Sequence, residues 1–296
     1  MGNTAALGPV VVGVNATTAS DLAVDWAAEY AALTGRRLLA VHGTGFVGVR
    51  PNAQDLLEAE LFVLEGGRAI VDAAVERARK EQPSLDASGV AEVGDPPSVL
   101  LEHAHDASVV VVGSRRDEAF RRLFGSVSLA VTRHTGCPLV VVRPHRHRAP
   151  APPRNGVVLG VDGTSASRDA AAFAFHYASV HRMPLVVLNA SWERLSRGSA
   201  ALELLTYAQG RELTEEEELS IAETVAGLPE QYPDVEWSET HRTADPAEAL
   251  IEASESAALV VVGARRIGMP KALLLRSVST ALVEHAHCPV AVVQAS

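Results

Sequence analysis

At 296 residues the chain is long for one hydrophobic core and comfortable for two. Its composition is globular, with 47% hydrophobic and 21% charged residues and only 4% aromatic, a diet of Ala, Val and Leu that suits helices layered on buried parallel strands. A net charge of −10 argues against a nucleic-acid partner, whose phosphates are held by Lys and Arg, and no apolar run approaches the ~20 residues that cross a bilayer.

The opening stretch MGNTAALGP has no basic segment, no apolar segment and no Ser or Thr at position 6, so neither a secretory leader nor a myristoylation signal is expected. Two cysteines, Cys137 and Cys288, are too few for a disulfide framework and fit a reducing compartment, which makes a cytoplasmic protein the expectation.

In chain order, short apolar runs predict strands at Val10–Val14, Leu38–Val41, Val90–Val93, Val109–Val112 and Leu139–Val142. They lack polar alternation, as strands covered on both faces do, and helical stretches separate them, so parallel crossover units are expected. Asp95-Pro96 marks a helix start, with the carboxylate as N-cap and proline where its missing N–H costs nothing. His103 and His105 are expected near the end of that helix, where a cation is favoured.

A stretch rich in proline and basic residues, RPHRHRAPAPPRNG at 143–156, has no apolar period. It reads as an extended, solvated spacer, with the linker placed at 145–155, domain 1 at 1–144 and domain 2 at 156–296.

Beyond the spacer the plan repeats. Predicted strands fall at Val157–Val161, Leu185–Leu188, Val235–Trp237, Leu259–Val262 and Val290–Val293, and Asp245-Pro246 repeats the helix start. The stretch from Ala200 to Gly227 is long and acidic, and its run Glu215–Glu218 is expected on a solvated helix face, because four successive residues point around a helix and do not converge on a metal. Gly13-Val14-Asn15 matches Gly160-Val161-Asp162, Val110–Gly113 matches Val260–Gly263, and His134 with Cys137-Pro138 matches His285 with Cys288-Pro289. The nearly constant offset, in the same order, identifies a tandem duplication. Each half is therefore expected to be an α/β domain with a five-stranded parallel sheet of order 3-2-1-4-5 and helices on both faces.

Open α/β sheets bind ligands beyond the carboxyl ends of the strands, where the strand order reverses. In this order strands 1 and 4 flank that point. The turns after them are VNATTAS and VGSRRDEAF in the first half, and VDGTSAS and VGARRIGMP in the second. Further on, GSVS at 125–128 and RSVS at 276–279 each open a helical stretch whose first N–H groups attract an anion, with Ser126 or Ser277 as cap. Gly125 lets backbone approach a phosphate, whereas Arg276 does not.

Gly-Val-Asp after strand 1, Gly-Ser-Arg after strand 4, a Gly-Ser-Val-Ser helix start and a terminal His-x-x-Cys-Pro-Val strand together resemble the universal stress protein family, over nearly the whole chain. The resemblance implies a Rossmann-like fold of the adenine nucleotide alpha hydrolase type in each half. In one subgroup it implies ATP in the crevice between strands 1 and 4, with Mg2+ expected only together with ATP. Carried over residue by residue, the nucleotide contacts are Asn15, Gly43, Gly113, Arg116, Gly125, Ser126, Val127 and Ser128 in the first half. In the second they are Asp162, Ala190, Gly263, Arg266, Ser277, Val278 and Ser279. Both copies depart from the subgroup's G-x2-G-x9-G-[ST] pattern. The first has Arg116 for a glycine, is one residue short before Gly125 and carries Asn15 for the acidic residue that the family uses near the ribose. The second keeps Asp162 and the spacing but has Arg266 and Arg276 for two glycines.

Two functions follow: a stress-response regulator that binds ATP, or a nucleotide-free scaffold for protein partners. No G-x-x-x-x-G-K-[ST] and no G-x-G-x-x-G after a first strand is present, which disfavours a P-loop ATPase and a dehydrogenase. At most slow ATP turnover is expected, since no base is positioned for water. Thiol or metal chemistry at His134/Cys137 or His285/His287/Cys288 is disfavoured, because Cys-Pro leads straight into an apolar strand. The family also implies antiparallel pairing of the two domains through their last strands, Leu139–Val142 and Val290–Val293, with a homodimer as a further expected association.

Overall fold

The computed structural model describes residues 8–45, 53–114, 135–143, 156–191, 215–264 and 277–295. The chain forms two compact units, Met1–Pro144 and His145–Ser296. The predicted linker at 145–155 lies outside the described residues.

In the first unit the strands are β1 (Val10–Gly13), β2 (Leu38–Gly43), β3 (Ala87–Glu92), β4 (Val109–Gly113) and β5 (Leu139–Val142). They lie in the order β3-β2-β1-β4-β5 with every adjacent pair parallel. The helices are α1 (Thr18–Leu33), α2 (Ala53–Glu81) and α3 (Pro96–Ala104). Val10–Val12, Val109–Val111 and Leu139–Val141 are wholly buried, as expected of central strands covered on both faces. Alanines make the helix seat: Ala23, Ala27, Ala28 and Ala31 of α1 are all fully buried, and their small side chains let the helix lie close on the sheet.

The second unit repeats this with β6 (Val157–Val161), β7 (Leu185–Ser191), β8 (Trp237–Thr243), β9 (Leu259–Ala264) and β10 (Val290–Gln294), ordered β8-β7-β6-β9-β10 and again parallel. Its helices are α4 (Ser165–His181), α5 (Glu215–Val225), the single turn α6 (Leu228–Gln231), α7 (Pro246–Ala253) and α8 (Val278–His285). The acidic stretch is helical from Glu215 and ends before Gly227, whose φ of 78° turns the chain. Glu218 is exposed there, as a solvated face requires, and residues 192–214 lie outside the description.

The edge strands depart from expectation. β3 starts three residues before the predicted Val90 and excludes Val93, and β8 begins at Trp237, where the predicted strand ended. An edge strand has one covered face and one open side, so ASGVAE and WSETHRT carry polar residues that a search for apolar runs passes over. Val235 is buried in the turn ahead of β8, not in the sheet.

Helix starts follow the proline signal more closely than the carboxylate one. Asp245 accepts from the N–H groups of Ala247 (2.9 Å) and Glu248 (3.1 Å). Asp95 occupies the same N-cap position but makes no side-chain cap, its Oδ2 accepting from Ser98 Oγ at 3.1 Å instead. His103 lies in the last turn of α3 and reaches Glu92 at 2.8 Å, with His105 at the C-cap.

Within α2, Gly66 is exposed and a Cβ there would meet nothing within 4 Å, whereas one on Gly67 would come to 3.0 Å from His42. Gly66→Ala is therefore expected to stabilise the first unit by about 0.5–1 kcal/mol through the restricted unfolded chain. A urea midpoint raised in the variant tests this; a lowered one would contradict the open surface at Gly66.

His181 ends α4 stacked on Tyr177, ring centroids 4.0 Å apart. Burial, with His176 adding to it, pushes its imidazole down to about 4. The unfolded chain takes this proton first, so stability is complete above about pH 6.5 and falls as pH drops toward 4, by on the order of 2 kcal/mol once partial exposure is allowed for. His181→Phe keeps a ring on Tyr177 and is expected to flatten this part of the pH–stability curve. An unchanged slope would show that His181 is not its source.

Candidate functional site

In both units the first strand and its neighbour β4 or β9 end side by side, and the chain leaves the first strand through a turn into a helix. In the first unit Val14 N–H bonds to Val41 O (2.9 Å) and His42 Nδ1 lies 2.8 Å from Val14 O, tying the turn to the end of β2. Asn189 Nδ2 donates to Val161 O at 3.1 Å in the equivalent place, and Asn189 Oδ1 lies 3.0 Å from His241 Nδ1.

Asn15 and Asp162 occupy corresponding points on these turns and are both exposed. Asn15 N–H donates to Ser20 Oγ (3.0 Å), and Thr17 Oγ1 donates to Asn15 Oδ1 (2.5 Å) while accepting from Ser20 N–H (3.4 Å). Asp162 N–H donates to Ser167 Oγ (3.2 Å). Its Oδ1 receives Thr164 N–H (3.1 Å), Thr164 Oγ1 (2.6 Å) and Ser167 Oγ (2.7 Å). Both serines are buried, so each turn is braced from inside by a hydroxyl five residues on. The motif reading missed these serines and Thr17/Thr164. The shared pattern Asn/Asp-x-Thr-x-Ala-Ser, NATTAS against DGTSAS, carried the signal.

Gly113 and Gly263 end β4 and lie inside β9. A Cβ on Gly113 would stand 2.2 Å from Ala19 O, and one on Gly263 2.5 Å from Ala166 O, so the first turn of α1 or α4 passes directly over the strand. Gly43 ends β2 where a Cβ would meet Pro96 Cα at 2.7 Å, whereas β7 carries Ala190 at this place, in register with Arg242 of β8. The fold thus accounts for Gly113, Gly263 and Gly43 without a ligand.

Ser277 is the N-cap of α8, its Oγ accepting from Thr280 N–H (3.2 Å), with Thr280 Oγ1 at 2.7 Å and Ser279 Oγ at 3.3 Å. Val278 and Ser279 form the first turn behind it. Because α8 ends at His285, just ahead of the start of β10, its N-terminus points toward the carboxyl edge of the sheet, the side on which Asp162 and Ala190 lie. Arg116, Gly125, Ser126, Val127, Ser128 and Arg266 lie outside the described residues.

The cysteines are buried. Burial pushes the Cys137 thiol up, the reverse of what a reactive thiolate needs. Among the described residues no group of three or more His, Cys, Asp or Glu side chains is placed to hold a metal, and no helix is long and apolar enough to cross a membrane.

The universal stress protein family model matches the chain twice, over residues 7–143 and 154–294. The chain is similar to universal stress protein Rv2005c of Mycobacterium tuberculosis, 34% identical over 292 residues that span 97% of each chain. It is also similar to universal stress protein Rv2623 of the same organism, 32% identical over 299 residues that span 97% of this chain and 96% of the other. The crystal structure of a universal stress protein from Archaeoglobus fulgidus superposes with a TM-score of 0.69 at 16% identity, covering 97% of this chain and 98% of that one, which speaks for the fold alone. Two copies of one parallel α/β unit, the duplicated strand-1 turns and the double family match place the chain in the universal stress protein family, in its tandem two-domain form.

Proposed function

We propose that this protein is a stress-response regulator that binds an adenine nucleotide, with ATP held in the crevice between β6 and β9 of the second unit. The observation that carries this reading is Asp162. It is an exposed carboxylate at the strand-order reversal, with one oxygen fixed by Thr164 and Ser167. A carboxylate held in this way is prepared to accept from ligand hydroxyls without first ordering itself. The N-terminus of α8, on the same edge of the sheet, is suited to phosphate. Binding, not turnover, is the proposed role, and Mg2+ would accompany ATP only.

A nucleotide-free scaffold is the second reading, favoured by the packing that explains Gly113 and Gly263 without a ligand. Calorimetric ATP titration of the full chain and of Asp162→Ala decides between them. The nucleotide reading expects binding that weakens more than about tenfold in the variant, the loss of a charge-assisted bond. Absence of binding to the unaltered chain would leave the scaffold reading.

A further inference from the structure

Phe62 of α2 is the most exposed large apolar side chain among the described residues, at 77%, and Leu61 beside it is 58% exposed. The helix seats itself on the first unit through Gly67, Val71, Ala74 and Ala78, all buried, so its opposite side needs no apolar character. Yet Phe62, Gly66, Ala69 and Ala73, at helical spacing, form one exposed line along it. The fold does not call for this line. In α5 the buried Ile221 and Thr224 stand where α2 has Val71 and Ala74, and in that alignment Glu216, Leu219 and Glu223 replace Gly66, Ala69 and Ala73.

The line is complementary to itself. Phe62 and Ala73, and likewise Gly66 and Ala69, are placed symmetrically about the Gly67–Arg68 peptide. A second α2 laid antiparallel across the first, with a two-fold axis at that peptide, sets each Phe62 over Ala73 of the other copy and each Gly66 against Ala69. Large groups then meet small ones, and the glycines let the backbones come close. Charge agrees with this direction. Glu65 and Arg68 flank the axis and are both exposed, and among the described residues neither takes part in an ion pair. In the antiparallel arrangement each Glu65 meets Arg68 of the other copy, twice by symmetry, whereas a parallel one would set like charges together. Further out, Glu76 comes near Glu58 of the other copy, with Lys80 one turn on to offset the two carboxylates.

We infer that this face of α2 is the surface through which two copies of the chain associate, antiparallel about a two-fold axis, with Phe62 as its apolar anchor and reciprocal Glu65–Arg68 pairs fixing its direction. One helix from each copy is a small contact, so the dimer is expected to be weak and reversible. The inference is independent of whether either crevice holds a nucleotide.

Sedimentation velocity of the full chain, run across the micromolar to millimolar range, tests it. A dimer that grows with concentration is expected, and Phe62→Glu is expected to weaken it at least about tenfold. Glu65→Arg and Arg68→Glu each set like charges face to face and are expected to weaken it singly. Mixed in equal amounts, these two variants are expected to form a heterodimer, because each supplies the charge that the other lacks. A chain that stays monomeric throughout, a dimer that persists in Phe62→Glu, or a mixture no more associated than its components would each overturn the inference. Circular dichroism of each variant checks that these exposed substitutions leave the fold unchanged.

Discussion

Gly113→Ala is expected to destabilise the first unit by about 3 kcal/mol, and Gly263→Ala the second by a similar amount. The atoms that a new Cβ would strike are backbone: Ala19 O at 2.2 Å and Ser20 N at 2.9 Å for Gly113, and Ala166 O at 2.5 Å for Gly263. A side chain could swing aside, but a helix start cannot move without dragging the strand-1 turn with it, because Ser20 and Ser167 belong both to the helix and to that turn. Damage should therefore spread from the strand to the exposed turn residue Asn15 or Asp162. Gly136→Ala is the control, since a Cβ at Gly136 meets nothing within 4 Å, and a change within about 0.5 kcal/mol is expected there. Urea unfolding followed by amide exchange, which reports on each unit separately, measures all three. A Gly113→Ala protein as stable as the Gly136→Ala control would mean that α1 is not seated on β4 as described.

Phe175→Ala should cost the second unit about 3–5 kcal/mol. Phe175 is wholly buried on α4, with ring centroids 6.3 Å from Tyr232 and 6.1 Å from Trp237, so truncation opens a cavity beside the two aromatic rings that remain. The first unit has Ala28 at the matching point of α1 and Ala87 at the start of β3, where β8 has Trp237. The two units thus differ at these matching positions, one carrying small alanines and the other aromatic bulk. Exchange protection should fall in β8 and α4 and leave the first unit unchanged. Protection lost equally in both units, or a change below about 1 kcal/mol, would contradict this account.

What the sequence disclosed, and what it hid, has a physical pattern. Central strands such as Val109–Gly113 and Leu259–Ala264 are apolar on both faces, so their composition alone betrays them. β3 and β8 lie at edges, where Ser88, Glu239 and Thr240 face solvent, and no apolar run marks where they begin. Asp245 and Asp95 show the limit of local rules: the same dipeptide starts a helix twice, but Asp95 accepts from Ser98 and only Asp245 caps with its carboxylate. At the crevice, repetition points to Asn15 and Asp162, whereas Gly113 and Gly263, which the family resemblance gives as ligand contacts, are already demanded by helix packing. Ser20 and Ser167 escaped notice because a serine early in a helix reads as an ordinary cap, and only three-dimensional contact shows it bracing the turn before.

The central claim is that the second crevice holds an adenine nucleotide. Denaturing freshly purified full-length protein and identifying the released small molecules by chromatography and mass spectrometry tests it most directly, with calorimetric ATP titration of the same preparation. The account predicts ATP or ADP at about one per chain, or an empty crevice that fills to that count on titration, and loss of both in Asp162→Ala. A protein that releases no nucleotide and shows no heat of binding would contradict it.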